Sequence, residues 1–474
     1  MNWHPVYLKA VLGPDYAYAQ THLLPFFLAA LKAHSLGLLS VGTPHAQQAV
    51  TGVQALREFM PPAYDPGVED LFFTLDRELS RHSPVGAGAL RTALSRNDLD
   101  MTVYRLSARS HLMRALDDLC LLRRTLLALA TRERATLMVA HSHHQPAQPT
   151  TFGHYLLAVE SALSRDTARL HGALERLNFC PLGAVAMTGS SHPLDRAYTA
   201  ELLGFSGPIE NTFDAVSAGD WQTELGGVLS TCAVNLSRAL YDLLNWAAQG
   251  LLTLADGLVQ GSSVMPQKRN PVALEHARTR FSKVLGYAQA LTFSNHNVPY
   301  GDINDPGTDA QEPLWLMWQD FSQGVQLLNA SLEHPVIDRE HWRGTAEHGD
   351  TTLTELADTL ARQTGDFRQA HAVAQALLKK LHESGRTLQQ ATDDDVRALG
   401  VEVPGGTVAA ALNPDVFVQR RTTLGGPAPE PMRVQLEQAE LRLREDMQQQ
   451  ASWQADFDAA HKRLWADSPA LELT

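Results

Sequence analysis

Apolar residues recur at steps of three and four along most of the chain, which places them on one face of a helix. The longest stripes are Leu112, Leu116, Leu119, Leu122, Leu126 and Leu129, and then Leu225, Leu229, Cys232, Leu236, Leu240, Leu243 and Ala247. Shorter stripes cover 152–170, 281–291 and 314–328, and no alternating strand pattern of useful length occurs. The pattern predicts a mainly α fold in which long helices pack side by side in an elongated bundle.

Two polar stretches break this pattern and predict domain boundaries. One lies at 91–100 and the other is "TAEHGDTTLT" at 345–354. We therefore expect three domains, which are an N-terminal helical domain (1–100), a central long-helix bundle (101–350) and a C-terminal helical domain (351–474). The final stretch, rich in Gln, Glu and Arg, has only a thin apolar stripe and predicts a solvated or assembly-surface helix. That stripe consists of Val434, Leu436, Ala439, Leu441 and Leu443.

Composition narrows the class of protein. The 474 residues carry a net charge of −13 with no basic block, which argues against nucleic-acid binding. Three cysteines without a motif suit buried fillers in a reducing cytosol better than a disulfide framework. The N-terminus lacks a signal-peptide pattern, and no uninterrupted apolar run reaches the roughly 20 residues of a membrane span. A cytoplasmic protein without membrane contact is expected.

The stretch "GSSVMPQKRNP" at 261–271 interrupts two helical regions. Gly261 frees the backbone, and the two serines after it offer hydroxyl and N–H groups that no helix uses. Lys268 adds a mobile cation, while Asn270 and Pro271 are typical of a helix N-cap and first turn. Such a donor-rich, positive loop suits a carboxylate ligand. This segment alone is equally compatible with a polar linker between two helices.

Two further polar islands stand out. In "HSHHQPAQPTTFG" at 141–153, the histidines lack a cysteine or carboxylate partner nearby, so a metal site is disfavoured. A role in proton transfer is favoured, because the pKa of histidine lies near working pH. The stretch "LSRNDLD" at 94–100 crowds hydrogen-bonding groups immediately before the long leucine stripe. By itself it could be a helix cap and nothing else.

Taken together, the islands resemble the argininosuccinate lyases of the fumarase/aspartase superfamily. Residues 261–271 match the superfamily's signature, Gly-Ser-Ser-x-Met-Pro-x-Lys-x-Asn-Pro, throughout. The narrower resemblance covers roughly 85–445. It is carried by "SRND" at 95–98, "AQPTTFGHYLLA" at 147–158, "PLDRAYTAELLGF" at 193–205, "FDAVSAGD" at 213–220 and "LNPDVFVQRRTTLGG" at 412–426.

The resemblance implies a three-domain fumarase/aspartase-type fold whose central helices form the core of a homotetramer. Each active site would gather loops from three subunits. The implied reaction is a β-elimination that cleaves a C–N bond of an N-succinyl compound and releases fumarate. The expected substrate is argininosuccinate, the product arginine, and the pathway arginine biosynthesis. No metal or organic cofactor is implied, and the partner is a small dicarboxylate-containing molecule.

The resemblance also implies roles for individual residues. Ser262 would be the general base, His143 the proton donor or its supporting group, Glu275 the carboxylate that orients His143, and Lys268 a catalytic cation. Proton removal beside a carboxylate creates a dianion, which needs fixed donors around it. The implied substrate-binding residues are Ser95, Arg96, Asn97, Ser142, Gln145, Ser263, Asn270 and Tyr300.

Several positions depart from the family pattern. The N-terminal Trp-Gly-Gly-Arg-Phe motif is absent, Val11 falls near the position of a substrate-contacting serine, and Phe72 replaces a usual histidine. In "VPYGDINDPGTDAQEP" at 298–313, the family's lysines are missing, and Asp302 and Asp305 reverse the local charge. Groups for the fumarate-forming half are kept, while those for the departing half have changed.

Three interpretations follow. The preferred one is a working lyase, acting on argininosuccinate. A paralogous lyase of the superfamily would act on another succinyl amine, although no purine- or phosphate-binding island supports adenylosuccinate. A non-catalytic, crystallin-like scaffold is the third, and the joint retention of serine, lysine, histidine and glutamate argues against it.

Overall fold

The computed structural model describes residues 3–466, and helices make up most of them. The first helices are α1 (Pro5–Ser40), α2 (Ala46–Ala55), α3 (Leu71–His82), α4 (Pro84–Leu90) and α5 (Arg96–Arg132). The middle elements are β1 (Leu137–Ser142), β2 (Gln145–Thr151), α6 (Phe152–Leu177), α7 (Arg196–Leu202), α8 (Thr212–Ser217), α9 (Asp220–Ala248), β3 (Leu252–Thr253), α10 (Val272–Asn295), α11 (Gln311–Glu333) and β4 (Val336–Ile337). The last helices are α12 (Arg339–His348), α13 (Leu353–Thr364), α14 (Phe367–Glu383), α15 (Asp393–Arg397), α16 (Thr407–Ala411), α17 (Pro414–Gln419) and α18 (Pro429–Trp465). The predicted mainly α fold is confirmed.

Five long helices, α5, α6, α9, α10 and α11, pack together as the central bundle. The leucines predicted from the two longest stripes are almost completely buried in one continuous hydrophobic core. The apolar stripes read from the sequence are therefore the faces on which the helices pack. Apolar side chains at these spacings leave water when helices lie side by side. The three cysteines are buried and unpaired, as expected for small core fillers.

Helix α1 is long and apolar enough to cross a membrane by length and composition. This differs from the expectation of no run of that length, because the helix continues through short polar interruptions. In its most apolar window 61% of the residues are buried inside the protein, including Phe27 and Leu31. The apolar side chains of α1 thus contribute to the protein core. A buried core helix can have the same length and composition as a membrane span.

The polar island 141–153 is a β-hairpin and not the loop that the sequence analysis assumed. Strands β1 and β2 are antiparallel, with Ser142 opposite Gln145 at the tip and a register irregularity beside Ala140. His143 and His144 form the two-residue turn with φ values of 52° and 60°. Two left-handed residues in succession are what a tight hairpin turn requires. Residues other than glycine and asparagine rarely adopt this conformation.

The C-terminal part contains a second, smaller core built from α13 to α16, with Leu356, Leu377 and Val408 fully buried. Helix α18 leaves this core and packs along α5 and α6, burying Met432 and Leu436 on one face. Its other face is exposed, as predicted for this helix. The division into three domains at 100 and 350 stays a prediction.

Glu355 joins α13 to the segment after α17. Its side chain is fully buried and accepts hydrogen bonds from Arg362 at 2.7 Å, Arg420 at 2.8 Å and also Arg421. Burial acts to raise the pKa of Glu355, but the three arginines outweigh it and hold the pKa to about 2. The pair of arginines in "QRRTTLGG" therefore has a structural role in this fold.

We expect Glu355→Gln to destabilise the chain by about 2 kcal/mol at pH 7, because charged hydrogen bonds are lost. Because the pKa of Glu355 is lower in the folded chain than its ordinary value of 4.5, the ionised carboxylate stabilises the fold fully above pH 4.5. This stabilisation is lost as the pH falls towards 2. Urea unfolding of wild type and variant between pH 7 and pH 2 should therefore show a difference that shrinks with acid. Glu402→Gln removes the same charge from an exposed site and should change stability little. A difference that is independent of pH would contradict the prediction.

Candidate active site

The loop 261–271 projects from the surface between α9 and α10. Its neck is closed by a reciprocal backbone pair, in which Gln260 N–H donates to Asn270 O at 2.9 Å and Asn270 N–H donates to Gln260 O at 2.8 Å. Helix α10 begins at Val272 with Pro271 before it and no side-chain cap. The expectation that Asn270 caps the helix is therefore wrong, because the peptide groups of Asn270 close the loop.

Ser262 has a specific environment inside this loop. Its Oγ accepts the backbone N–H of Val264 at 3.2 Å and that of Met265 at 3.0 Å. N–H donors that point at a hydroxyl oxygen favour its deprotonated form. Lys268 and Ser263 are exposed on the same loop, and Arg269 anchors its base through Asp256 at 2.6 Å. The loop thus presents a serine oxygen and the ammonium group of Lys268, which has no ion pair within residues 3–466, above a closed neck.

The hairpin tip carries the next group of predicted residues. Ser142, His143 and Gln145 are all exposed there, on a short antiparallel pair that packs on α6 and α12. Within residues 3–466, the His143 side chain has no hydrogen-bond partner, and neither does the carboxylate of Glu275, which is exposed in the first turn of α10. The implied contact between His143 and Glu275 is thus not made within the single described chain.

The island 94–100 does form a helix cap. Ser95 Oγ accepts the N–H of Asn97 at 3.3 Å, and Asp98 accepts the N–H of Ser95 at 3.2 Å, which together form a capping box at the start of α5. The other oxygen of Asp98 accepts the N–H groups of Gly183 at 2.7 Å and Val185 at 2.9 Å. Buried Asp98 therefore fixes the first turn of α5, in which Arg96 and Asn97 lie.

Arg96 is held by the acidic pair of the "EDLF" stretch. Its Nη1 donates to Glu69 at 3.0 Å and to Asp70 at 2.5 Å, and the guanidinium lies over the ring of Phe73. The hydrogen bond to Asp70 and the nearby acidic charges raise the pKa of Arg96 although burial opposes this. Phe72, at the usual histidine position, is buried in the core and does not face the site.

Arg96 and Asn97 line a cavity of about 180 Å³ between α1, the start of α5 and the segment 301–311. Val11 belongs to its wall, so the position of the missing serine does face this space. Tyr300 does not line the cavity and is 78% exposed. Of the predicted site residues, the described chain brings only Arg96 and Asn97 into this cavity.

The cavity contains acidic residues, of which the sequence analysis singled out Asp302 but not Asp15 or Asp100. Burial, and then the charges of Asp309 and Glu312, raise the pKa of Asp15 to about 6. Burial raises the pKa of Asp100, and the charge of Asp70 raises it further. Burial also raises the pKa of Asp302. Asp100 follows "SRND" closely enough to have been included, whereas no sequence signal marks Asp15. Within residues 3–466, no group of three or more metal-ligating side chains is suited to a metal ion.

The fold matches that of known lyases. A solved structure described as EDDS lyase in complex with formate is 24% identical, with a TM-score of 0.87 over 98% of this chain and 95% of that one. A class II fumarase from Schistosoma mansoni is 16% identical, with a TM-score of 0.69 over 83% and 90% of the two chains. The chain thus has the fold of the fumarase-type lyases, a bundle of long helices with a serine- and lysine-bearing loop.

Sequence comparisons narrow the class. Residues 76–286 match the family model described as Lyase, and 350–419 match the model described as Argininosuccinate lyase C-terminal. Argininosuccinate lyase 2 of Agrobacterium fabrum is 34% identical over 90% of this chain and 88% of its own length. Argininosuccinate lyase of Thermus thermophilus is 35% identical over 86% of this chain and 89% of its own length. The chain belongs to the argininosuccinate lyase family. It is a C–N lyase of the β-elimination type that releases fumarate.

Proposed function

We propose that the chain cleaves argininosuccinate, or a closely related N-succinyl amine, in active sites shared between subunits of a cytoplasmic homotetramer. The observation that carries the proposal is Ser262, a hydroxyl that receives two backbone N–H groups on the exposed loop that also carries Lys268. A serine is a weak base unless its alkoxide is stabilised, and the two N–H donors favour the alkoxide, to which Lys268 of the same loop adds a positive charge. Arginine biosynthesis is the pathway that fits this reaction.

Ser262 then removes the proton from the carbon beside a carboxylate of the succinyl half. The electrons left behind are held as a dianionic carboxylate, which Lys268 and the amide of Asn270 stabilise. Collapse of this intermediate forms the double bond of fumarate and breaks the C–N bond. His143 donates a proton to the departing nitrogen, and Glu275 orients the imidazole.

The substrate carboxylates need several further donors. Arg96 uses only Nη1 in its described ion pairs, so its remaining N–H groups stay available for a carboxylate. Asn97 lies beside it in the cavity, and its side-chain oxygen accepts a hydrogen bond from Ser95 at 2.7 Å. The other proposed contacts come from the hairpin tip, the loop 261–271 and the segment after α10. They are Ser142, Gln145, Ser263, Asn270 and Tyr300.

The exposed faces of the central helices support the proposed tetramer. Exposed residues recur at steps of three and four along α9 and α10, which is the spacing of a face that packs on another helix. They are Gly227, Thr231, Val234, Arg238, Tyr241 and Asn245 on α9, and Thr279, Ser282, Gly286, Gln289 and Phe293 on α10. Phe293 is 72% exposed and Tyr241 is 50% exposed, so each would bury apolar area if another subunit packed on this face.

Purified protein incubated with argininosuccinate should release fumarate, which ultraviolet absorbance detects. Arginine should appear in equal amount, and addition of a chelator should leave the rate unchanged. Release of fumarate from a different N-succinyl amine, with no signal from argininosuccinate, would reject that substrate and retain the elimination chemistry. Absence of fumarate from every N-succinyl amine would reject the proposed function.

A further inference from the structure

The cavity beside Arg96 is lined by both apolar and acidic side chains. Val11, Leu12 and Leu23 of α1 supply apolar side chains. The acidic side chains are carboxylates from distant parts of the chain, one of them also on α1. These carboxylates are Asp15, Glu69, Asp70, Asp100, Asp302 and Asp309.

Charge in this cavity is unbalanced. Arg96 is the one cationic side chain among the described residues that line it, and Glu69 and Asp70 already pair with its Nη1. The described chain provides no ion pair for Asp15, Asp100 or Asp302. Burial raises the pKa of all three, and the charge of Arg96 opposes this rise at Asp100 and Asp302 without cancelling it. A ligand that brings a positive charge would remove this imbalance.

Arg96 and Asn97 are assigned to a carboxylate of the succinyl half, and no further cationic side chain among the described residues lines the cavity to pair with a carboxylate of the leaving group. Val11 has no hydrogen-bonding group, and the chain contains no lysine between Lys283 and Lys379. Instead, Asp302 stands on the cavity wall, while Asp305 of the same segment does not line the cavity. A carboxylate-bearing end placed here would face like charges, whereas an ammonium or guanidinium end would be attracted.

We infer that this cavity holds the distal end of the departing amine and selects a positive charge that is not accompanied by a carboxylate. The preferred substrates are then N-succinyl derivatives of diamines or other cationic amines, and Asp302 is a specificity-determining residue. This inference rests on the proposed function, because it assigns the leaving-group end of the same active site.

A matched series of substrates tests the inference. The N-(1,2-dicarboxyethyl) adducts of 1,4-diaminobutane, butylamine and 4-aminobutyrate share one chain length and end in a cation, a neutral methyl group and an anion. We expect kcat/KM for fumarate release to fall in that order, by about tenfold or more at each step. Asp302→Asn should reduce the preference for the cationic over the neutral adduct by about tenfold. Asp305→Asn, a control with the same charge change outside the cavity, should keep the wild-type preference.

The outcomes separate the inference from the proposed function. Fumarate release that is equal for all adducts, or fastest for the carboxylate end, would overturn the inference and leave the lyase activity standing. If neither argininosuccinate nor any adduct yields fumarate, the proposed function fails. Calorimetric binding of 1,4-diaminobutane and 4-aminobutyrate to the full chain then decides the inference. Diamine binding that Asp302→Asn weakens and Asp305→Asn does not would support it, and absence of diamine binding would overturn it.

Discussion

Ser262→Ala should reduce kcat for fumarate release by about 10²- to 10⁴-fold, which is the contribution expected of a positioned general base. Its Oγ is the acceptor for the N–H groups of Val264 and Met265. Alanine removes the only atom at this position that takes up the proton. Since the serine lies in an exposed loop with its neck closed by Gln260 and Asn270, the variant should fold with an unchanged melting temperature.

A matched control comes from the same loop. Gln267 is exposed, has no proposed chemical role, and its replacement by alanine should leave kcat close to wild type. Substrate binding should also survive in Ser262→Ala, because the proposed carboxylate contacts lie on other residues. A Ser262→Ala enzyme with near-wild-type turnover would assign the base to another group, and equal losses in both variants would indicate a general disturbance of the loop.

The long helices could be predicted because their signal is redundant. Each stripe repeats the same spacing over several turns, so the buried face of α5 or α9 follows from the period alone. The hairpin gave no such signal. Its second strand is "QPAQPTT", in which two prolines and two glutamines replace the alternation of a typical strand. The strands are also short, and the turn uses two histidines instead of glycine or asparagine.

The signature loop could be located from the sequence, although its local structure could not be predicted, and the chemistry assigned to it stays a prediction. "NP" before a helix is a common start signal, yet the peptide groups of Asn270 are used to close the loop and α10 begins at Val272. The acidic cavity was beyond sequence reasoning for a different reason. Asp15, Asp100 and Asp302 come from three segments that are far apart in the chain, and only the packing of α1 on α5 and the segment 301–311 brings them together.

Mixing two inactive variants should restore activity if the active site is shared. In the described chain, Ser262 lies on the loop before α10 and His143 on the hairpin tip, and no hydrogen bond or common cavity joins them. In a symmetric oligomer, a serine from one subunit would meet the histidine of another. Oligomers made only of the Ser262→Ala variant or only of the His143→Ala variant would then lack turnover. Each variant nevertheless keeps the catalytic side chain that the other has lost.

Subunits of the two variants, mixed in equal amounts, unfolded and refolded together, would assemble at random. A site that takes its serine and its histidine from different subunits is intact when each comes from the suitable variant, which happens in about one quarter of the sites. Fumarate release should therefore recover to about one quarter of the wild-type rate. Each variant refolded alone is the control and should stay inactive. If refolded wild type regains activity while the mixture shows none, serine and histidine act within one subunit, and the proposed shared site is wrong.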